Sequence, residues 1–214
     1  MGYTFLDTLS TPAVMAAQSE NGARQLWENL DADRTFDRFT ENEVAFIAER
    51  DSFYIASVSE SGWPYVQHRG GPPGFLKVLD DTTLAFADFR GNRQYISLGN
   101  VAANDKVALI LVDYPRRARL KILAHMRAHD LVAEPALAER LALPGYKAKP
   151  ERAFVLKLEA FDWNCAQHIT QRYTLADIGA ATEPLRQRVA ELEAENASLR
   201  AALSGGMPNR GASS

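Results

Sequence analysis

Between residues 52 and 163 the chain alternates short runs of β-branched and aromatic residues with polar turn clusters. The runs are "SFYIASVS", "WPYVQHR", "GFLKVL", "TTLAFADF", "KVALILVD", "RLKILAHMRAHDLV" and "AFVLKLEAFDW". Between them stand the turn signals "SESGWP", "GGPPG", "LDD" and "DYPRR". Six or seven such strands, the early ones closely spaced, predict antiparallel hairpins folded into a small barrel or sandwich. Two helical interruptions are expected, over 92–103 and at "EPALAERLAL". Residues 1–50 instead carry apolar positions at helical spacing. "PAVMAAQSENGARQLWENL" predicts a helix over 13–30, and "TENEVAFIAER" a second one. In the second, Thr40 and Glu43 form a capping-box pair ahead of Val44, Phe46 and Ile47.

The pattern changes again at "EPLRQRVAELEAENASLRAALSGG". Leu185, Val189, Leu192, Asn196, Leu199 and Leu203 follow the a/d alternation of a coiled coil. A β-branched a position with leucine at d favours two parallel strands, and a lone Asn196 at a fixes register. Arg188 opposite Glu193, and Glu195 opposite Arg200, are complementary flanking pairs. The other reading is a single amphipathic helix packed on its own domain, because six a/d positions make a short seam. The organisation is thus a helical segment (1–50), a β domain (51–175), a coiled-coil helix (176–204) and an ending (205–214) expected to be disordered.

Composition narrows the partners. The net charge is -3 and the pI about 5.8, so neither nucleic acid nor an anionic membrane is an expected partner, and any anion site must be local. A lone cysteine, Cys165, excludes an intrachain disulfide and fits a reducing compartment. The first residues lack a secretory pattern, and no apolar stretch approaches the ~20 residues that span a bilayer. A cytoplasmic protein is expected.

One stretch carries candidate chemistry: "DFRGNRQYISLGN", residues 88–100, directly after an apolar run. Asn92 is a good N-cap, which would leave the backbone N–H groups of Arg93, Gln94 and Tyr95 free for a phosphate. Gly91 permits a sharp turn and close approach. Arg93 can add a bidentate contact and Arg90 further charge. A solvated strand end followed by a capped helix accounts for the same residues.

The succession "GWPYVQHRGG…LAFADFRGNRQYISLGNVAANDKVALILV…RLKILAHMRA…LEAFDWNCAQHITQRYT" resembles the pyridoxamine 5'-phosphate oxidase-like, FMN-binding split-barrel family, over roughly residues 40–175. It is most similar to the branch of flavin-nucleotide-binding proteins. The resemblance implies a mainly β fold with helices (α+β), a six-stranded antiparallel split β-barrel working as a homodimer. It implies that Gln67, His68 and Arg69 pass beside the flavin ring and that Ala87 and Asp88 lie near the ribityl chain. Asn92, Arg93 and Gln94 correspond to a Ser-Arg-Lys that grips the phosphate; the lysine has become Gln94, and Arg90 or Lys121 is expected to replace its charge. Trp163, with Asn164, and Arg172 correspond to residues that reach the partner subunit's flavin. His168, close to Trp163, is expected at the flavin or the substrate, or as a cap of the final strand. The oxidases' Arg-x-His signature is missing, since "QHITQR" has the reverse order, so pyridoxamine phosphate is not the expected substrate.

A flavin needs donors near its pyrimidine edge, an apolar wall and fixed positive charge at its phosphate, and it carries the hydride chemistry itself. No metal site is expected: His125 and His129 share a strand face but stand about 13 Å apart. Arg116, Arg117 and Arg119 form a basic turn, read as solvated. The reading is an FMN-binding homodimer, a flavin-dependent oxidoreductase of a small organic molecule. The alternatives are a flavin-binding carrier, sensor or assembly module without turnover, and a deazaflavin-dependent reductase of the same fold.

Overall fold

The computed structural model describes residues 3–28, 35–164 and 166–205. Cys165 and residues 206–214 lie outside them. The chain divides into two compact units, residues 1–170 and 171–214.

In the first unit, α1 (Thr4–Leu9), α2 (Pro12–Glu20), α3 (Arg24–Glu28) and α4 (Glu41–Ala48) precede the strands β1 (Ser52–Val58), β2 (Pro64–Gly70), β3 (Lys77–Asp80) and β4 (Thr83–Phe89). Then follow α5 (Ile96–Ala103), β5 (Lys106–Asp113), β6 (Ala118–His129), α6 (Pro135–Arg140) and β7 (Pro150–Asn164). All the strands join one antiparallel sheet in the order β2-β1-β5-β6-β7-β4-β3. The count among the described residues is therefore seven where six were expected, because the short β3 keeps its own place at an edge. The fold class is the expected one.

Strand periodicity sets the core. On β5 and β6, Val107, Leu109, Leu111, Leu120, Ile122, Ala124 and Met126 turn inward at every second position. Phe53 and Ile55 of β1, Leu84 and Phe86 of β4 and Phe154 and Leu156 of β7 complete this cluster. The sheet curls until its two ends meet. Phe53 packs edge-on against Phe86 at 5.3 Å, although β1 and β4 are not hydrogen-bonded neighbours. Glu159 is the extra residue of a bulge in β7, where Leu123 pairs with Ala160 and Ala124 with Leu158. Such a bulge increases local twist and bends the strand.

The Thr40–Glu43 capping box forms as the sequence predicts, and α4 buries Phe46 and Ile47. The single helix expected over 13–30 is instead two, because Gly22 takes a left-handed φ of 68° after α2. The helix expected from 92 begins only at Ile96. Arg93 (φ 62°) and Tyr95 (φ 54°) are left-handed, which interrupts a right-handed helix before it can start. Asn92 is not its cap: the Asn92 side-chain oxygen accepts from the Gln94 amide in a local turn.

The second unit holds α7 (Leu175–Gly205), which continues through Pro184. It opens on a capping box that the sequence reading overlooked. The Asp177 carboxylate accepts from the Thr174 amide and hydroxyl, both at 2.8 Å, and the Thr174 hydroxyl accepts from the Asp177 amide. Along α7, Leu185, Val189, Leu192, Leu199 and Leu203 are all exposed. Arg188 bonds Glu191 on its own helix at 2.9 Å. Among the described residues no helix is long and apolar enough to cross a membrane.

Candidate active site at the barrel seam

Where the ends of the curled sheet meet, side chains rather than a backbone ladder join them. Arg69 of β2 bonds Asp88 of β4 at 2.5 Å, and Arg152 of β7 reaches the other Asp88 oxygen at 3.1 Å. All three side chains are largely buried. One carboxylate between two guanidiniums leaves an excess of positive charge, and the Arg69 Nε has no partner. Beside this group lies a cleft of about 180 Å³. Tyr65, Gln67 and Arg69 line it from β2, Asp88 and Phe89 from β4, residues 91–95 from the connecting loop, and Ile96 to Leu98 from the start of α5.

Each element brings its residues for a local reason. On β2 the odd-numbered positions face inward, so Tyr65, Gln67 and Arg69 share the cleft side while Val66 and His68 face outward. The Gln67 side-chain carbonyl accepts from the Ser97 hydroxyl at 2.8 Å, which leaves its amide NH2 as the donor end of the side chain. Buried Asn100 donates to Ser57 at 2.9 Å and fastens α5 to β1. The first N–H groups of a helix have no intrahelical partner, and the cap residue Tyr95 supplies no side-chain acceptor. The helix-start amides without an intrahelical partner are thus those of Ile96, Ser97 and Leu98, residues that line the cleft, while the Gln94 amide is taken by Asn92.

The loop itself is strained. Two non-glycine residues in the left-handed region each cost about 1–3 kcal/mol and persist where their surroundings impose them. Arg152 lies over the Tyr95 ring at 5.0 Å, and the Tyr95 hydroxyl approaches Glu151. Hydrogen bonding to Tyr95 raises the Arg93 pKa above its ordinary value, with a further contribution from the Glu151 charge. Glu151 is held below the usual carboxylate range, first by its hydrogen bond with Arg90. Gly91 does not take a left-handed φ, and a Cβ there would meet nothing within 4 Å. The backbone turn therefore does not require glycine, contrary to the sequence expectation.

The predicted site residues separate into two groups. Gln67, Arg69, Asp88, Asn92, Arg93 and Gln94 line one cleft. Arg90 stands beside it, committed to Glu151 at 2.9 Å. Ala87 points to the opposite face of β4, into a small cluster with Leu141 and Ala153. His68 packs edge-on against Tyr54 on the outer face. Lys121 is bound to Asp162 at 2.7 Å and lies over the Phe5 ring, so its charge does not serve this cleft. Trp163 donates its indole N–H to Glu43 at 2.6 Å and packs edge-to-face against Phe46. Asn164 ends β7 opposite Arg119, His168 follows in a left-handed turn, and Arg172 belongs to the second unit. The basic turn is not simply solvated, since Arg116 bonds Glu49 at 2.5 Å.

Arg152, Glu151 and Ser97 are site residues that sequence reasoning missed, and Tyr95 entered it only through its backbone N–H. The antiparallel pairing of Asp88 with Arg152 brings the first two in from about sixty residues away. A complementary charge pattern, Asp88 and Arg90 against Glu151 and Arg152, is visible once that pairing is known.

The family model described as pyridoxamine 5'-phosphate oxidase matches residues 39–162, more than half of the chain. The protein belongs to this family. The match takes in α4, the strands up to the last two residues of β7, and the cleft. No protein of curated function matches the sequence significantly. Among solved structures, a candidate pyridoxamine 5'-phosphate oxidase from Lactobacillus delbrueckii is 24% identical, with 62% of this chain and 97% of that one covered and a TM-score of 0.45. An FMN-binding protein from Syntrophomonas wolfei is 15% identical over 69% of this chain and 97% of its own, with a TM-score of 0.46. An F420 reductase is 20% identical over 54% and 93%, with a TM-score of 0.38.

Proposed function

We propose that the protein binds FMN at the barrel seam as a homodimer and is a flavin-dependent oxidoreductase of a small organic molecule. The observation that carries this reading is the cleft. Arg93, Arg69 and the amides at the start of α5 surround one opening, with Gln67 beside them as a neutral donor. That donor set fits a phosphate joined to a polar chain. The flavin, when bound, supplies the redox chemistry, and the chain's residues hold and orient it.

Size supports the dimer. At about 180 Å³ the cleft is smaller than the ~300–1,000 Å³ usual for small-molecule sites, so a ring system needs a further wall. A second copy is the source proposed for it, and the face of β1 and β2 turned away from the cleft offers a surface for association. On the outer face of β1 and β2, Tyr54, Val58 and Val66 form an exposed apolar surface, Val66 with 61% of its area accessible.

The first test is the visible spectrum of the purified protein, followed by mass analysis of what heat releases. Flavin absorption with released FMN is expected; a released deazaflavin would replace FMN in this reading, and a colourless protein that ignores added FMN would reject both. Arg93→Ala should stay folded and lose a charged hydrogen-bond contribution of about 1.5–3 kcal/mol, a roughly 10- to 150-fold loss in FMN affinity. Unchanged affinity in this variant removes the phosphate role.

The exposed a/d stripe of α7 favours a second reading, a flavin-binding module that assembles through its coiled coil. Bound flavin that neither a nicotinamide donor reduces nor an acceptor reoxidises would select the module.

A further inference from the structure

A second cavity, of about 380 Å³, lies behind the end of β4, between α6, the loop after it and the start of β7. It differs in character from the seam cleft, with which it shares Phe89 and Glu151 as a common wall. Its volume falls in the range of small-molecule sites. Alanines at 87, 138, 142 and 148 leave the space, and the bonds around it keep it from collapsing. Arg140 of α6 donates to the Leu79 carbonyl at 2.8 Å, and the Arg90 amide donates to Lys149 at 2.9 Å, so both sides are tied to the sheet. Phe89 and Tyr146 stand edge-to-face at 5.2 Å, offering an aromatic wall.

The charged residues that line this cavity are acids only, Asp130 and Glu151. Glu151 is already paired with Arg90. Asp130 uses one oxygen to cap its own turn at the Val132 amide, 2.8 Å away, and is exposed. We infer that this cavity is a binding site for a small aromatic amine, its ring against Phe89 and Tyr146 and its ammonium toward Asp130. The inference does not depend on the flavin reading, because no residue assigned to the phosphate lines this cavity.

Calorimetric titration of the full chain with tryptamine, indole and indole-3-acetate tests it. These share one ring system and differ in charge. Tryptamine is expected to bind at one site per chain, about tenfold more tightly than indole-3-acetate. Asp130→Asn should reduce tryptamine to the affinity of indole. Ala142→Trp, at an exposed position on the cavity wall, should abolish binding of both while thermal unfolding stays unchanged. Absence of binding by tryptamine, equal binding of indole-3-acetate or indole, or binding that survives Ala142→Trp overturns the assignment. Should Ala142→Trp unfold, Tyr146→Ala serves instead, and undiminished tryptamine binding in it overturns the assignment equally.

Discussion

At the residue scale the seam depends on Asp88, a single carboxylate between two largely buried guanidiniums. Removing one partner of a buried ion pair leaves uncompensated charge, so Asp88→Asn should lower stability by about 3 kcal/mol, read as a fall in urea midpoint. The same substitution frees Arg69 and leaves Arg152 only its longer contact with Glu151, so added FMN should recover more stability in the variant than in the parent. Equal stabilisation by FMN in both proteins would show that these arginines do not face the ligand. Gly91 makes a sharper case. Its backbone permits alanine and a Cβ meets no neighbouring atom, so Gly91→Ala should leave unfolding within about 0.5 kcal/mol of the parent. A loss of FMN affinity in that stable variant would mark close approach of the ligand. Arg93 and Gln94 were legible because charge and small residues cluster after a strand. The left-handed turns at Arg93 and Tyr95 were not, since neither residue type announces a positive φ.

At the element scale, a local side-chain cap made the start of α4 readable, while the same signal at α7 went unread. Thr40 and Glu43 satisfy α4 within four residues. The same logic identifies α7, where the Thr174 amide, first, and its hydroxyl hold Asp177 below the ordinary aspartate value. A depressed carboxylate contributes stability that is fully present above its unfolded value near 3.9 and is lost as pH falls through the lower folded value. Helical signal from α7 should therefore be insensitive to Asp177 above about pH 4.5 and decline below it, with Asp177→Asn removing this acid step. Circular dichroism of both proteins between pH 6 and 2 measures the difference; identical profiles would deny the cap any energetic role. The start of α5 was misread because its position depends on φ angles in the preceding loop, while Asn92 spends its side chain in that loop.

At the scale of the whole molecule, apolar side chains are exposed among the described residues on the outer face of β1 and β2 and along α7. If both join the same two copies, truncation after Glu183 should leave a dimer, and Val66→Glu in that truncated chain should give a monomer with weakened flavin binding. Sedimentation equilibrium decides the mass of each. A truncated chain that is monomeric and still binds FMN fully would assign association to α7 and detach the cleft from it.

The sequence by itself determined the strand runs, the α4 cap and the fold class, because period-two burial and capping act over a few neighbouring residues, while the family was legible only as a resemblance in the order of its motifs. The tertiary structure alone decided which charges meet at the seam. Asp88 and Arg152 are brought together by an antiparallel register spanning the middle of the chain, and Lys121 is kept away by its inward neighbours on β6 and its bond to Asp162. Such pairings depend on how far the sheet curls before its ends meet, a property of all seven strands together and of no single segment.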